Sequence, residues 1–327
     1  MRKTVLDIDN LSLEFPVYKG TVSAVNRVSL HVQEGEIVGI VGESGSAKSV
    51  TAMTAMRLLP SESFRIRSGR ITLLGQDMLA LSEQKLASMR GRDVAMIFQE
   101  PLTALNPTKK VGAQMLGVIR LHTKLSEREA RLHAIKLLTD MRINDAEEIL
   151  ERYPFELSGG MRQRILIGLA FACSPKLLIA DEPTTALDVT VQKQVLQLLR
   201  QKAQELNTAI LFISHDLAVV SQFCDRLYVM YAGSVVETGP TREVLRAPKH
   251  PYTQALIRAL PESAEPGQPL RSIRGVVPNL TDMPTGCAFR ERCDSAFEAC
   301  SAIPPLFSLD EDNRASACWL CEKEHAA

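Results

Sequence analysis

Glu36-Ile37-Val38-Gly39-Ile40-Val41-Gly42-Glu43-Ser44-Gly45-Ser46-Ala47-Lys48-Ser49 is the stretch that decides the fold. From Glu36 to Val41 the run suits a buried strand, a glycine-serine turn follows, and a helix is predicted to start near Lys48. Strand, turn and helix in that order are the context a P-loop requires. Backbone N–H groups of the loop and of the helix N-terminus would point at phosphate oxygens, where the helix dipole favours negative charge. On this reading Gly42, Ser44, Gly45, Ser46, Ala47, Lys48, Ser49 and Val50 contact a nucleotide. Lys48 would reach the β- and γ-phosphates, and the Ser49 hydroxyl would ligate Mg²⁺.

One position departs from the usual pattern: Ala47 stands where glycine normally precedes the lysine. Its methyl is expected to crowd the nucleotide or a neighbouring strand, at a cost of about 1–3 kcal/mol. That would weaken ATP binding about ten- to a hundredfold. Alanine is compatible with the right-handed helical region, so the loop is expected to keep its backbone shape.

Working outward, the first 40 residues alternate as strands do, at Val5–Ile8, Leu11–Leu13 and Val28–Val32. Residues 126–141 have helical spacing, with leucines and an isoleucine on one stripe, and suggest a helical subdomain. Buried-strand patterns recur at 176–180 and 209–213, with a helical stretch at 189–206 between them. Strands alternating with helices predict an α/β domain on a parallel sheet, with antiparallel strands added from the N-terminal part. From Pro261 the texture changes. Seven of the 17 prolines fall in 261–327, as do five of the seven cysteines, which reads as a small, loop-rich appendage that a metal could staple.

Bulk composition narrows the classes of function. The chain has 327 residues, 45% apolar and 23% charged, enough for a large globular domain with an appendage. Lysine plus arginine equals aspartate plus glutamate at 38 each, so no global charge excess draws the chain to nucleic acid, and none is expected as a partner. No apolar run approaches 18 residues, and the N-terminus lacks a secretory h-region, so the chain is expected in the cytosol. In that reducing setting the clustered cysteines favour a metal centre over disulfides.

Further motifs follow in order. Leu157-Ser158-Gly159-Gly160-Met161-Arg162-Gln163 precedes a helix predicted over 161–173, with N–H groups that could face a phosphate. Leu177-Leu178-Ile179-Ala180-Asp181-Glu182 ends a strand on two acids. Ala186-Leu187-Asp188, Ile213-Ser214-His215-Asp216 and Met96-Ile97-Phe98-Gln99-Glu100-Pro101 complete the set. Taken together they resemble the ATP-binding cassettes (ABC proteins), over roughly residues 4–260.

That resemblance implies a P-loop, RecA-like ABC ATPase core with an antiparallel β subdomain and a helical subdomain at about 100–172. It implies that Asp181 holds Mg²⁺ through water, that Glu182 orients or deprotonates the attacking water, and that His215 contacts the γ-phosphate. Gln99 would join Ser49 and Asp181 around Mg²⁺. Phe15 lies where an aromatic ring stacks on adenine, with Tyr18 the nearby alternative. Ser158, Gly159, Gly160 and Asp188 would serve the ATP of a partner cassette, in a head-to-tail dimer that closes on nucleotide.

Within the cassettes, Leu105-Asn106-Pro107, Thr184–Thr190 and His250-Pro251-Tyr252-Thr253 resemble the D-type ATPase subunit of bacterial dipeptide and oligopeptide importers. Val277–Leu280 and Gly286–Arg290 look nearest to the D,D-dipeptide type. The resemblance implies a second related ATPase, two transmembrane permeases, an extracytoplasmic peptide-binding protein, and a place on the cytoplasmic face of the inner membrane. It divides the chain into a cassette, 1–260, and an extension, 261–327. Cys287, Cys293, Cys300 and Cys318 are spaced C-x5-C-x6-C-x17-C, which resembles the iron–sulfur centre of those subunits, with zinc as the alternative metal. Cys321 could replace Cys318. Cys173 and Cys224, in predicted helical stretches, read as core residues. The rival readings are a hydrolysis-poor regulatory cassette, which Ala47 would permit, and a non-transport ABC protein acting on nucleic acid.

Overall fold

The computed structural model describes residues 2–18, 20–99, 104–185, 187–260, 272–309 and 314–325. Glu100, Pro101 and Ala186 of the quoted motifs, and Pro261 at the change of texture, lie outside the described residues. The strands in chain order are β1 (Thr4–Val17), β2 (Gly20–Gln33), β3 (Ile37–Val41), β4 (Arg65–Leu73), β5 (Gln76–Asp77), β6 (Val94–Ile97), β7 (Leu177–Asp181), β8 (Ala209–Ser214), β9 (Arg226–Tyr231), β10 (Ser234–Pro240), β11 (Phe307–Ser308) and β12 (Ala315–Ser316). The chain divides into two compact units, one centred on 80–211 and the other formed by 6–31, 37–79 and 212–327.

In the first unit β6 and β7 pair in parallel, from Val94 opposite Leu177 to Ile97 opposite Ala180. Every residue of β7 is buried, as expected of a strand covered on both faces. Helices Val111–His122, Glu127–Asp140, Ala146–Glu151 and Gly159–Ala170 follow one another ahead of β7. Helix Glu127–Asp140 starts in a capping box, in which the Glu129 carboxylate takes the Ser126 N–H at 2.8 Å and the Ser126 hydroxyl caps Glu129. Such a cap is worth about 0.5–2 kcal/mol. Its buried stripe is Ala130, Ala134, Leu137 and Leu138, so two alanines carry part of the face and Leu132 stands 58% exposed. The small alanines let neighbouring helices come close, which a count of large apolar residues does not register. Helix Val189–Leu206 matches its predicted bounds and ends on Asn207 in the left-handed region.

In the second unit β2, β1, β4 and β5 lie side by side in a four-stranded sheet, with β1 antiparallel to β4 and β4 to β5. The separate strand patches at 5–8 and 11–13 are one strand. A register irregularity between Asp9 and Ser12 explains why its alternation slips in the sequence. A second set of strands runs β3, β9, β10, β12, β11, with β3 and β9 parallel and the remaining pairs antiparallel. Gly39 of β3 sits close under helix Leu217–Phe223, where a Cβ would meet Val220 at 2.9 Å and Cys224 at 3.0 Å.

The loop-rich appendage also carries short strands: β12 extends the sheet along β10, with Glu237 opposite Ser316 and Thr238 opposite Ala315. Strands of two residues are too short to carry a readable alternation. The helix predicted over 161–173 spans Gly159–Ala170, so Cys173 lies in the turn beyond it, half-buried, and is not a core residue of that helix. Cys224 is buried, at the cap that ends helix Leu217–Phe223. Among the described residues no helix is long and apolar enough to cross a membrane.

Candidate functional site

In the second unit the P-loop leaves β3 through Gly42, whose φ of 153° and closeness to the Met230 carbonyl leave no room for a side chain. Ser44 and Gly45 are exposed at the tip, whereas Ser46 and Lys48 are buried, and Ser49 and Val50 half-buried. The Lys48 ammonium donates to the Gly42 carbonyl at 2.8 Å, the Glu43 carbonyl at 3.0 Å and the Ser46 hydroxyl at 3.3 Å. Helix Lys48–Ala55 then starts with neither a side-chain cap nor an acid in its first turn. A helix N-terminus of this kind favours an anion in front of it.

Ala47 caps that helix with φ 70° and ψ 20°, in the left-handed region. The expectation that alanine keeps the loop in the right-handed region is overturned. Glycine is usual here because its backbone reaches this conformation without the cost of about 1–2 kcal/mol that a Cβ brings. The difficulty at Ala47 thus lies in the backbone of the loop itself.

Glu43, the second residue of the loop, is held by groups remote in sequence. Its N–H donates to Tyr252 Oη at 2.8 Å, and its carboxylate accepts two hydrogen bonds from Arg292, at 2.7 and 3.0 Å. Tyr252 follows His250, which caps helix Pro251–Arg258 through Nδ1. The buried Glu237 carboxylate accepts the N–H groups of Lys249 and His250, and burial raises its pKa. Burial pushes His250 down to about 3, so the imidazole is neutral. Phe15, near the end of β1, is half-buried, and Tyr18 is fully exposed. His215 follows β8 and is exposed, while Asp216 caps helix Leu217–Phe223 through the N–H groups of Ala218 and Val219.

In the first unit Asp181 is buried at the end of β7. Glu182 turns the chain at φ 46°, and its Oε2 accepts from Gln99 Nε2 and Thr185 Oγ1, each at 3.0 Å. Gln99 therefore meets the acid of the motif, a contact that spacing alone did not indicate. Ser158 caps helix Gly159–Ala170 through the Met161 N–H at 3.3 Å, and Asp188 caps Val189–Leu206 through the Val191 N–H at 2.9 Å. Both caps are exposed, Gly159 has open space around it, and Gly160 lies against Val191.

The cysteines of the appendage meet at one small cavity of about 10 Å³, lined by Cys287, Cys293, Cys300 and Cys318 together with Phe289 and Trp319. Cys321 is buried and does not line it. Burial, with some mutual repulsion, raises Cys287 and Cys293 and pushes Cys318 up to about 12. Among the described residues no three His, Cys, Asp or Glu side chains are grouped closely enough to hold a metal ion. Thiols as a donor type suit a soft metal, but the four cysteines that line the cavity are not gathered into a metal-holding group.

Sequence reasoning missed Arg292, Tyr252 and Glu237. His250–Thr253 stood out only as a pattern, and nothing near Arg292 marks a partner 249 residues away.

A family profile described as "ABC transporter" matches residues 25–185, and one described as "Oligopeptide/dipeptide transporter, C-terminal region" matches 236–300. The chain is 58% identical over 324 residues to the probable D,D-dipeptide transport ATP-binding protein DdpD of Escherichia coli (strain K12), covering 99% of each chain. It is 46% identical to the dipeptide transport ATP-binding protein DppD of the same organism, covering 96% of each. A solved dimeric structure of a bacterial ABC transporter cassette superposes with a TM-score of 0.65 at 25% identity, covering 72% of this chain and 99% of that one.

Proposed function

Since the chain belongs to the ATP-binding subunits of the oligopeptide/dipeptide ABC transporters, we propose that its ATP hydrolysis drives import of short peptides, of the D,D-dipeptide kind. The observation that carries this reading is one chain holding a phosphate loop at Gly42–Ser49, a signature segment at Leu157–Gln163 and the peptide-transporter C-terminal region at 236–300.

The proposed division of labour follows from the two half-sites. Gly42, Ser44, Gly45, Ser46, Ala47, Lys48, Ser49 and Val50 grip the phosphates, and Phe15 stacks on the base. Ser49, Gln99 and Asp181 surround Mg²⁺, Glu182 acts on the attacking water, and His215 on the γ-phosphate. The two donors on Glu182 Oε2 orient that carboxylate for the task. Ser158, Gly159, Gly160 and Asp188 complete the site of a second, homologous cassette. Two permeases and an extracytoplasmic peptide-binding protein supply the path and the cargo, at the cytoplasmic face of the membrane. Residues 1–260 form the cassette, with a helical subdomain at about 100–172, and 261–327 the extension.

Cys287, Cys293, Cys300 and Cys318 would hold a 4Fe–4S cluster, which would staple the extension. Zinc is the second reading. Protein purified without oxygen should be brown and contain about four irons per chain; a colourless protein with one zinc and no iron would exclude the cluster. For transport, the reconstituted complex with its binding protein should show ATPase activity stimulated by dipeptides. A peptide-insensitive rate, equal in the Ala47→Gly variant, would favour the regulatory alternative that the strained Ala47 supports.

A further inference from the structure

We infer that the C-terminal appendage is a working part of the nucleotide site: Arg292 neutralises the Glu43 carboxylate that the P-loop itself carries, and is thereby a positioning residue for ATP. The inference rests on reading Gly42–Ser49 as the phosphate loop, and it gives the appendage a task.

The loop has a built-in difficulty. It must attract a triphosphate of several negative charges, yet its second residue is an acid. The fold answers by fixing Glu43 at every polar group. Tyr252 takes its N–H, Lys48 and Ser46 donate to its carbonyl, and Arg292 engages both carboxylate oxygens. This fork-on-fork pairing is the strongest form of side-chain ion pair and leaves the carboxylate no other orientation.

Arg292 is itself held rigidly. Its side chain is 5% exposed, its Nε donates to the Arg274 carbonyl at 2.8 Å, and one terminal nitrogen also donates to Tyr231 Oη at 3.2 Å. The guanidinium lies 5.6 Å from the Tyr231 ring centre and 5.8 Å from that of Phe289. It closes the 3₁₀ turn Arg290–Arg292, next to Cys293, and Phe289 packs on both Tyr231 and Tyr252. The cysteine-bearing loops therefore present one fixed positive charge to the P-loop. With Arg292 buried and Glu43 half-buried, the pair is only partly screened by salt, whereas a bare carboxylate at the loop would repel phosphate.

The test measures ATP affinity of the full chain by calorimetry. Arg292→Met should weaken binding about tenfold, as loss of a close charge partner does. The double variant Arg292→Met/Glu43→Gln should recover to within about threefold, because the repelling charge is gone, and Arg292→Lys should lie between. Raising salt should narrow the deficit of Arg292→Met alone. A purely structural role predicts instead a deficit that raising salt leaves unchanged. Should Arg292→Met not fold, Arg292→Gln takes its place, keeping donors without charge. Wild-type affinity in the folded single variant, or no recovery in the double, overturns the inference. Lys48→Ala separates the two readings: if it binds ATP normally the phosphate loop is misassigned, and if it alone loses binding only the role of Arg292 fails.

Discussion

The phosphate loop and the signature segment are built in opposite ways. Around Glu43 the supports come from far along the chain, Tyr252 at a separation of 209 residues and Arg292 at 249, and they are buried. Around Ser158 and Asp188 the supports lie three residues away, and the side chains are exposed. A loop that must receive phosphate in a fixed geometry is locked by the tertiary fold, because ordering it at the moment of binding would cost affinity. The signature segment, which we propose faces the nucleotide of another chain, needs only a formed helix end. Damage to the first region should therefore cost stability together with binding, and damage to the second should cost turnover with little loss of fold.

The largest effect should come where chemistry is removed and packing is not. Glu182→Gln should lower ATP turnover of the assembled complex by at least about a hundredfold, with its melting temperature unchanged. A melting temperature that falls with turnover would mean Glu182 is structural. Next is acidity. Unfolded histidine titrates near 6.5, but buried His250 stays neutral until about 3. Below pH 6.5 the unfolded chain alone takes up this proton, so stability falls as pH falls, by up to about 1.4 kcal/mol per pH unit. Glu237, raised by burial, acts with the opposite sign at the acid end. Thermal melts at pH 7.5 and 5.5 should show a larger drop for wild type than for His250→Asn, by about 1 kcal/mol.

Smaller changes sharpen the contrast between the two regions. Tyr252→Phe strands the buried-side N–H of Glu43 and should cost about 1–3 kcal/mol on denaturant unfolding. Asp188→Ala, which removes a cap next to the signature segment, should cost only about 1 kcal/mol. Equal costs would erase the distinction. The smallest effect is expected of Ala47→Gly: relief of left-handed strain, offset by greater freedom when unfolded, should raise stability by about 1 kcal/mol or less.

Much of this architecture was legible in the sequence because its signals are short-range. The run Ile37–Val41, the glycine-serine turn and helix Val189–Leu206 each declare themselves within a dozen or so residues. The capping serine and aspartate of the signature region lie beside the helices they start. What stayed hidden depends on chain crossings. Arg292 carries no local mark of its carboxylate partner, and β11 and β12 are too short for periodicity to show. Ala47 was misjudged because composition says nothing of the φ that a position demands; there only the usual glycine hinted at it. The cysteine spacing led to the expectation of a metal centre, but among the described residues no three ligating side chains are grouped closely enough to hold a metal ion.

One measurement reaches the core of this account: a structure of the assembled transporter bearing Glu182→Gln, trapped with ATP and Mg²⁺. It should show the γ-phosphate against Lys48 of one cassette and Ser158 or its counterpart of the other. Triphosphate bound at Lys48 with the signature segment turned away from every phosphate would contradict it.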